Sequence, residues 1–131
     1  MAKITQSVDL ETRGRVAVLT VDNPPVNALS QHARKGLHEG LGRAAADGAV
    51  QAVVIVCAGR TFIAGADITE FGKPPVEPGL HAVLDLIEGS PKPVVSAIHG
   101  TALGGGLEVT LACHYRVGAK DARFEIGRAH V

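Results

Sequence analysis

The sequence predicts an α/β fold in which helices are layered against a sheet, and three observations support this prediction. Residues 52–57 form an unbroken apolar run and residues 93–98 a second one, as expected of strands that are buried on both faces. Segments with helical periodicity alternate with these strands along the chain. No linker-like stretch or internal repeat divides the 131 residues, so we expect a single domain.

The N-terminal third predicts a β-hairpin and then a helix. Residues 4–11 and 15–21 are rich in β-forming residues and flank a glycine turn at Gly14. Two consecutive prolines end the second run, because proline cannot donate a hydrogen bond to a ladder. Ser30 suits the N-cap of a helix over residues 31–46, in which leucines and alanines line one face.

The rest of the chain continues the alternation of strands and helices. After the strand at 52–57, the predicted elements are a loop over 73–79, a helix over 80–88, a strand over 93–98, a helix over 107–113 and a strand over 115–119. A glycine-containing turn connects each of the two buried strands to the helix that follows it. We expect the functional site of the protein at these two turns.

Composition and charge narrow the classes of function. The 13 basic and 13 acidic side chains balance, which argues against a nucleic-acid partner. Residues 52–58 form the longest apolar stretch, which is far too short to cross a bilayer, and the first residues lack the apolar segment of a secretory signal. Cys57 and Cys113 are expected to be buried thiols rather than a disulfide framework. We therefore expect a cytoplasmic protein without membrane contact.

Two strand-to-helix turns have the features of a ligand site. The first covers residues 62–68 and the second residues 99–108. Ligands of open α/β sheets bind at such junctions, where the start of a helix offers unpaired N–H groups and a positive dipole end. Glycine lets the backbone come close to a ligand. Two such turns side by side could direct two N–H groups at one carbonyl oxygen and form an oxyanion hole.

Glu108 is the candidate acid–base residue at the second turn. It follows Gly105 by three positions, which on a helix places both residues on the same face. An oxygen held by the Gly105 N–H would therefore have a carboxylate nearby that can act as a general base. Neither turn has the spacing of a phosphate-binding loop, which disfavours a nucleotide ligand.

These features also have purely structural interpretations. Asp67 and Glu70 form a capping pair for a short helix, and the three consecutive glycines could be a flexible turn. Glu108 could be a surface residue of its helix, and His99 and His114 are expected to be structural. No spacing of histidine, cysteine and carboxylate residues indicates a metal site.

The ordered set of motifs resembles the enoyl-CoA hydratase/isomerase (crotonase) family. Residues 62–68 (FIAGADI) and 102–108 (ALGGGLE) are similar to its two signature turns. Residues 16–29 resemble its opening strand and CoA-contacting loop, and residues 92–100 its central strand. The resemblance covers residues 14–124 and looks most like the hydratase domain of bifunctional enzymes that also carry 3-hydroxyacyl-CoA dehydrogenase. It implies the ββα spiral of that family, of which this chain would hold the N-terminal half only.

The resemblance also implies roles for individual residues. The N–H groups of Ala66 and Gly105 would form the oxyanion hole for the thioester oxygen of an acyl-CoA, and Glu108 would be one of two glutamates that activate a water molecule. The residues expected to bind CoA are Ala28, Ala64, Gly65, Asp67 and Ile68. The acyl-CoA thioester is the expected ligand, and no cofactor is expected because coenzyme A is carried by the substrate.

The sequence departs from the family pattern near its end. The second glutamate of the pattern would fall at position 128, where this chain has Arg128, whose permanent charge cannot replace an acid. Glu125 lies three positions too early for that role. We therefore divide the chain into a truncated acyl-CoA-binding domain, 1–125, and a foreign tail, 126–131, that reads like sequencing-adapter sequence. A genuine but degenerate protein is the alternative.

Three functions follow as hypotheses. The first is hydration of trans-2-enoyl-CoA to 3-hydroxyacyl-CoA in fatty-acid β-oxidation, performed by the complete domain. The second is enoyl-CoA isomerisation, which needs only one well-placed carboxylate. The third is an inactive fragment that binds acyl-CoA. The resemblance leaves open whether the parent protein forms a homo-oligomer or continues into a dehydrogenase domain, and which acyl-chain length it prefers.

Overall fold

Eight strands and three α-helices make up the part of the chain that the computed structural model describes, residues 2–65 and 67–126 (for Ile68, the backbone only). In chain order the elements are β1 (Ala2–Thr5), β2 (Val8–Arg13), β3 (Val16–Val21), α1 (Gln31–Ala46), β4 (Ala52–Cys57), a 3₁₀ helix (Ile68–Glu70), α2 (Leu80–Glu88), β5 (Val94–Ile98), β6 (Thr101–Leu103), α3 (Gly105–Ala112), β7 (Tyr115–Gly118) and β8 (Arg123–Glu125). The predicted α/β fold class is confirmed.

The large sheet has the strand order β1-β2-β3-β4-β5-β7. The first three strands pair antiparallel, whereas β3, β4, β5 and β7 are parallel to one another. The carboxyl ends of β4 and β5 therefore lie at the same edge of the sheet, which is the edge where α/β proteins bind ligands. Both glycine turns follow these two strands, so the topology brings the turns together.

The glycines of α1 explain how this helix packs on the sheet. A Cβ at Gly36 would lie 2.5 Å from Val8 Cβ, and a Cβ at Gly40 would overlap the side chain of Leu19. The helix approaches the sheet so closely that only glycine fits at the contact. Leu37, from the predicted apolar stripe, is fully buried in the same core.

The central strands bury one face rather than two. In β4, Val53, Ile55 and Cys57 are buried, whereas Val54 and Val56 are half-buried. The same alternation holds in β5. The prediction of strands buried on both faces is therefore wrong for the described part of the chain, because its core lies on one side of the sheet.

Several predicted element boundaries also differ from the structure. Residues 4–11 do not form one strand, because a turn at residues 6–7 folds β1 back against β2. The helix predicted over 107–113 begins two residues earlier, at Gly105. The sequence pattern missed β6 and β8, which have three residues each and pair in parallel as a second small sheet. None of the described helices is long and apolar enough to span a membrane.

Both cysteines are buried free thiols, as predicted. Burial raises the pKa of the Cys57 thiol, and it raises the pKa of Cys113 to about 11. Because the thiolate is the reactive species, we expect iodoacetamide at pH 8 to modify neither cysteine in the folded chain and both in urea, as read by mass spectrometry. Rapid alkylation of the native protein would contradict the burial.

Candidate active site

The two glycine turns are in direct contact. The Leu103 N–H donates to the Ile63 carbonyl oxygen at 3.0 Å, and the Phe62 N–H donates to the His99 carbonyl oxygen at 2.7 Å. A Cβ at Gly106 would overlap the Ile63 carbonyl oxygen, so the first turn of α3 lies directly against the turn after β4. The predicted arrangement of two turns side by side is confirmed.

A threonine fixes the two turns relative to each other. The Thr61 hydroxyl accepts from the Thr101 N–H at 2.8 Å and donates to the Thr101 carbonyl oxygen at 3.1 Å. Gly100 has a φ of +68°, and a Cβ there would lie 2.8 Å from Thr61 Cα. The close approach therefore requires glycine both for its conformation and for its lack of a side chain.

Gly105 is the first residue of α3, and its backbone amide is available to a ligand. The helix begins after Gly104, which has a φ of +59°, and the Glu108 N–H makes the first helical hydrogen bond to the Gly104 carbonyl oxygen at 3.0 Å. The first N–H groups of a helix have no partner within the helix. Among residues 2–65 and 67–126, no acceptor takes up the Gly105 N–H.

A cleft of about 460 Å³ joins residues of both turns. The first turn contributes Gly65 and Asp67 to its lining, and the second contributes Gly105 and Glu108. The remaining lining residues are Leu29, Arg34 on α1 and several residues of the segment 70–80. The structure thus brings together four of the residues that the sequence predicted for the site.

Glu108 places a free carboxylate at this cleft. Its side chain is exposed and makes no hydrogen bond or ion pair with another described residue. It stands one helical turn after Gly105, so the carboxylate and the Gly105 N–H lie on the same side of α3. A carboxylate without a partner can take a proton from a bound water molecule or return one to a substrate.

Ala28 and Ala64 do not line the cleft but lie directly behind residues that do. The Ala28 carbonyl oxygen accepts from Asn23 Nδ2 at 2.8 Å, and the Ala64 N–H donates to the Val26 carbonyl oxygen at 2.9 Å. A Cβ at Gly65 would lie 2.6 Å from Val26 Cγ2. The contacts of Ala64 and Gly65 with Val26 hold the first turn against the loop that follows β3, the loop expected to lie near CoA, and the Asn23 hydrogen bond to Ala28 lies within that loop.

Asp67 caps the short 3₁₀ helix, as its structural interpretation predicts. Its carboxylate accepts from the Thr69 N–H at 3.0 Å and from the Thr69 hydroxyl, and these hydrogen bonds lower the pKa of Asp67. The cap is therefore present at neutral pH and is lost as the pH falls through that lowered pKa. Ala66, the other predicted oxyanion-hole residue, lies outside the described residues, as do the side chain of Ile68 and Arg128.

Glu70 does not form a capping pair with Asp67 but caps α1. Its carboxylate accepts from the Gln31 N–H at 2.8 Å and pairs with Arg34 at 3.1 Å. Ser30, the predicted N-cap, makes no capping hydrogen bond; its hydroxyl instead lies within hydrogen-bonding distance of Asn23 Nδ2, at 3.2 Å. Ser30 stands at the N-cap position of α1, as predicted, but the capping hydrogen bond to the first turn comes from a carboxylate 39 residues further along the chain.

His99 and His114 have structural roles, as predicted, and neither lines the cleft. His99 Nε2 donates to the Gly59 carbonyl oxygen at 2.8 Å, and His114 Nδ1 accepts from the Val94 N–H at 2.9 Å. Within the described part of the chain, no group of three histidine, cysteine or carboxylate residues is placed to hold a metal ion.

Comparison with known proteins shows to which protein family this chain belongs. The sequence model of the enoyl-CoA hydratase/isomerase family matches residues 11–131. The chain belongs to this family. Similar curated proteins include the peroxisomal bifunctional enzyme of Danio rerio, 50% identical over 108 residues, and a probable enoyl-CoA hydratase of Bacillus subtilis, 46% identical over 115 residues.

Solved structures of family members share the fold. An enoyl-CoA hydratase/carnithine racemase from Magnetospirillum magneticum matches 91% of the chain with a TM-score of 0.82 and 31% identity. An enoyl-CoA hydratase/isomerase (crotonase) from Legionella pneumophila matches 93% of it with a TM-score of 0.83 and 27% identity. The resemblance to the crotonase fold is thus confirmed.

The matches cover only part of the relatives. The matches to the Danio protein and to the Bacillus protein both cover 82% of this chain. They cover 15% of the Danio protein and 45% of the Bacillus protein. The structural matches span 48% and 51% of the two solved chains. The chain therefore spans about half the length of these two solved family members and of the Bacillus protein.

Proposed function

We propose that this chain is the acyl-CoA-binding part of an enoyl-CoA hydratase of fatty-acid β-oxidation. The observation that carries the proposal is that one cleft is lined by both glycine turns and by the free carboxylate of Glu108. Family membership supports it, because enoyl-CoA hydratases and multifunctional proteins of fatty-acid β-oxidation are among the relatives.

The chemistry of the cleft suits addition of water to a thioester-conjugated double bond. The thioester oxygen of trans-2-enoyl-CoA accepts from the Gly105 N–H, and this polarises the double bond toward the carbonyl. The hydroxyl of water adds to C3 and a proton adds to C2, which gives 3-hydroxyacyl-CoA. Backbone donors of this kind stabilise the enolate-like charge that develops on the oxygen. One such donor lowers the activation barrier by about 3 kcal/mol.

Glu108 supplies the acid–base chemistry in this proposal. Its carboxylate removes the proton from the attacking water or delivers one to C2. The resemblance implies a second carboxylate at the position of Arg128, and arginine cannot exchange protons at neutral pH. We therefore propose that the 131-residue chain alone binds acyl-CoA without hydrating it, and that hydration needs the complete domain.

Glu108→Gln tests this assignment in the complete parent domain. We expect the rate of crotonyl-CoA hydration, read from the loss of enoyl absorbance, to fall by about 10²- to 10⁴-fold, the usual contribution of a positioned acid or base. Glu39→Gln is the matched control, because Glu39 is a half-exposed glutamate of α1 that pairs with Arg43 on the same helix. Equal turnover in Glu108→Gln and the parent enzyme would remove Glu108 from the mechanism.

Isomerisation is the second candidate function. Asp67 and Glu70, the other carboxylates of the cleft, are engaged by Thr69 and by Arg34, which leaves Glu108 as the free one among the described residues. One free carboxylate suffices to move a proton between C2 and C4 of a 3-enoyl-CoA. Conversion of 3-enoyl-CoA to the 2-enoyl isomer without hydration would favour this candidate.

The proposed reaction needs an acyl-CoA thioester as its substrate. The acyl-CoA thioester carries its own coenzyme A, so no further cofactor is needed for hydration. A dehydrogenase domain in the same parent protein would use the 3-hydroxyacyl product, as the resemblance to bifunctional enzymes implies. A cytoplasmic location stays a prediction, and relatives such as the Danio protein are named as peroxisomal.

A further inference from the structure

Arg34 connects three separate segments that wall the cleft. Its Nη1 donates to the Leu29 carbonyl oxygen at 2.7 Å and to Glu70 Oε1 at 3.1 Å. Its Nε donates to the Pro78 carbonyl oxygen at 2.8 Å, and its Nη2 donates to the Val76 carbonyl oxygen at 3.2 Å. One guanidinium thus makes four hydrogen bonds across the loop after β3, the 3₁₀ helix and the loop before α2.

The surroundings of this guanidinium require an arginine. The Arg34 side chain is 12% exposed, and a charge that is largely withdrawn from water needs full hydrogen bonding. The planar fork of arginine presents five donors in fixed directions, whereas a lysine ammonium is a compact point charge. A lysine at this position cannot reach acceptors on three segments at once.

The loop that Arg34 holds has few other attachments. Residues 71–77 are exposed, and they include Phe71, Lys73 and Val76 of the cleft lining. Gln31, also in the first turn of α1, adds a hydrogen bond from its Nε2 to the Glu77 carbonyl oxygen at 2.9 Å. The hydrogen bonds of the first turn of α1 therefore set where this wall of the cleft lies.

We propose that Arg34 is a positioning residue that fixes the wall formed by residues 70–78 at the width needed for an acyl-CoA thioester. The identity of the occupant rests on the proposed function. The positioning of the wall rests only on the hydrogen bonds of Arg34, so the two can be tested separately.

Limited proteolysis of the 131-residue chain tests the positioning without any ligand. Phe71 and Tyr115 are both 68% exposed, so chymotrypsin can attack each of them, and Tyr115 on β7 serves as an internal reference. We expect Arg34→Gln and Arg34→Lys to raise cleavage at Phe71 relative to Tyr115 by about tenfold, because the open state of the loop becomes more populated. Arg43→Gln, on the exposed side of the same helix, should leave the ratio unchanged.

Two results would overturn the positioning role. One is an unchanged cleavage ratio in both Arg34 variants, and the other is an equal rise at Phe71 and Tyr115, which indicates general unfolding. Should the Arg34 variants fail to fold, Glu70→Gln is the second variant. This substitution keeps the size of the side chain. Its amide has only one oxygen, so it cannot accept from both the Gln31 N–H and the Arg34 guanidinium, and cleavage at Phe71 should rise as it does in the Arg34 variants.

Calorimetric titration with butyryl-CoA, a saturated thioester that cannot be hydrated, tests the consequence for the ligand. We expect the Kd to rise by about tenfold in Arg34→Gln and Arg34→Lys and to stay unchanged in Arg43→Gln. Failure of the unaltered chain to bind butyryl-CoA would count against the proposed function alone. Unchanged affinity in variants whose loop is cleaved faster would show that the wall does not contribute to acyl-CoA binding.

Discussion

In the proposed complete hydratase domain, replacing Gly105 with proline is expected to lower turnover by about 10²- to 10³-fold, the usual cost of removing one oxyanion-hole donor. Proline has no N–H, so this substitution removes the proposed donor itself. The first position of a helix accepts proline well, because its N–H has no helical partner. Gly104 has a ψ of −115°, outside the α region that a following proline disfavours, so α3 should keep its start.

Gly105→Ala is the matched control for this substitution. It keeps the N–H and adds a Cβ that would lie 3.2 Å from Leu29 Cδ1 and 3.4 Å from Leu80 Cδ2. Both contacts are with the ends of flexible side chains, so a shift of a few tenths of an ångström accommodates them. We expect turnover in Gly105→Ala to stay within about tenfold of the parent enzyme. Equal losses in both variants would mean that crowding, and not the missing donor, lowers the rate.

Gly106→Ala is expected to have the largest effect on stability. A Cβ at Gly106 would overlap the Ile63 carbonyl oxygen and come within 2.9 Å of the Ile63 carbonyl carbon, and backbone cannot move aside as a side chain can. We expect the free energy of unfolding, measured with urea, to fall by about 3 kcal/mol, the upper end for overpacking. The two turns should separate, so binding of acyl-CoA should weaken as well.

Gly42→Ala provides the comparison for Gly106→Ala. Gly42 lies within α1 and has open space around it, so alanine there should stabilise the protein by about 0.5–1 kcal/mol through helix propensity alone. A loss of stability in Gly106→Ala no larger than about 0.5 kcal/mol would show that the two turns do not pack as described.

The regular elements were predictable from the sequence where periodicity was strong. The bounds of α1, β4 and α2 agree with the predicted ranges, because an apolar stripe or an unbroken apolar run marks each of them. The second glycine turn was also predictable, because three consecutive glycines mark it in the sequence. In the structure, Gly104 adopts a positive φ immediately before α3 begins. These features depend on residues that are close together in the sequence.

Features that depend on distant contacts were not predictable. The pairing of β6 with β8 involves three residues on each side, which is too short for a periodic pattern. Glu70 caps α1 from 39 residues away, and no local spacing distinguishes it from a partner for Asp67. The role of Arg34 in the cleft has the same origin, because its acceptors at residues 70–78 come close only once the chain is folded.

The candidate site was predictable in its glycines and its carboxylate but not in its walls. Gly65, Asp67, Gly105 and Glu108 meet at one cleft because two parallel strands end side by side. Segment 70–80, by contrast, reads in the sequence as a proline-rich loop and a helix start, with no signal for a binding wall.

In the proposed oxyanion hole, the amides of Gly105 and Ala66 donate to one thioester oxygen beside Glu108. Amide proton shifts of the ¹⁵N-labelled chain, followed during titration with butyryl-CoA and with CoA alone, test it most directly. We expect the Gly105 and Ala66 amide protons to move downfield with butyryl-CoA and to stay near their free positions with CoA, which lacks the acyl oxygen. A Gly105 amide that does not move at saturation with butyryl-CoA would contradict the proposed oxyanion hole.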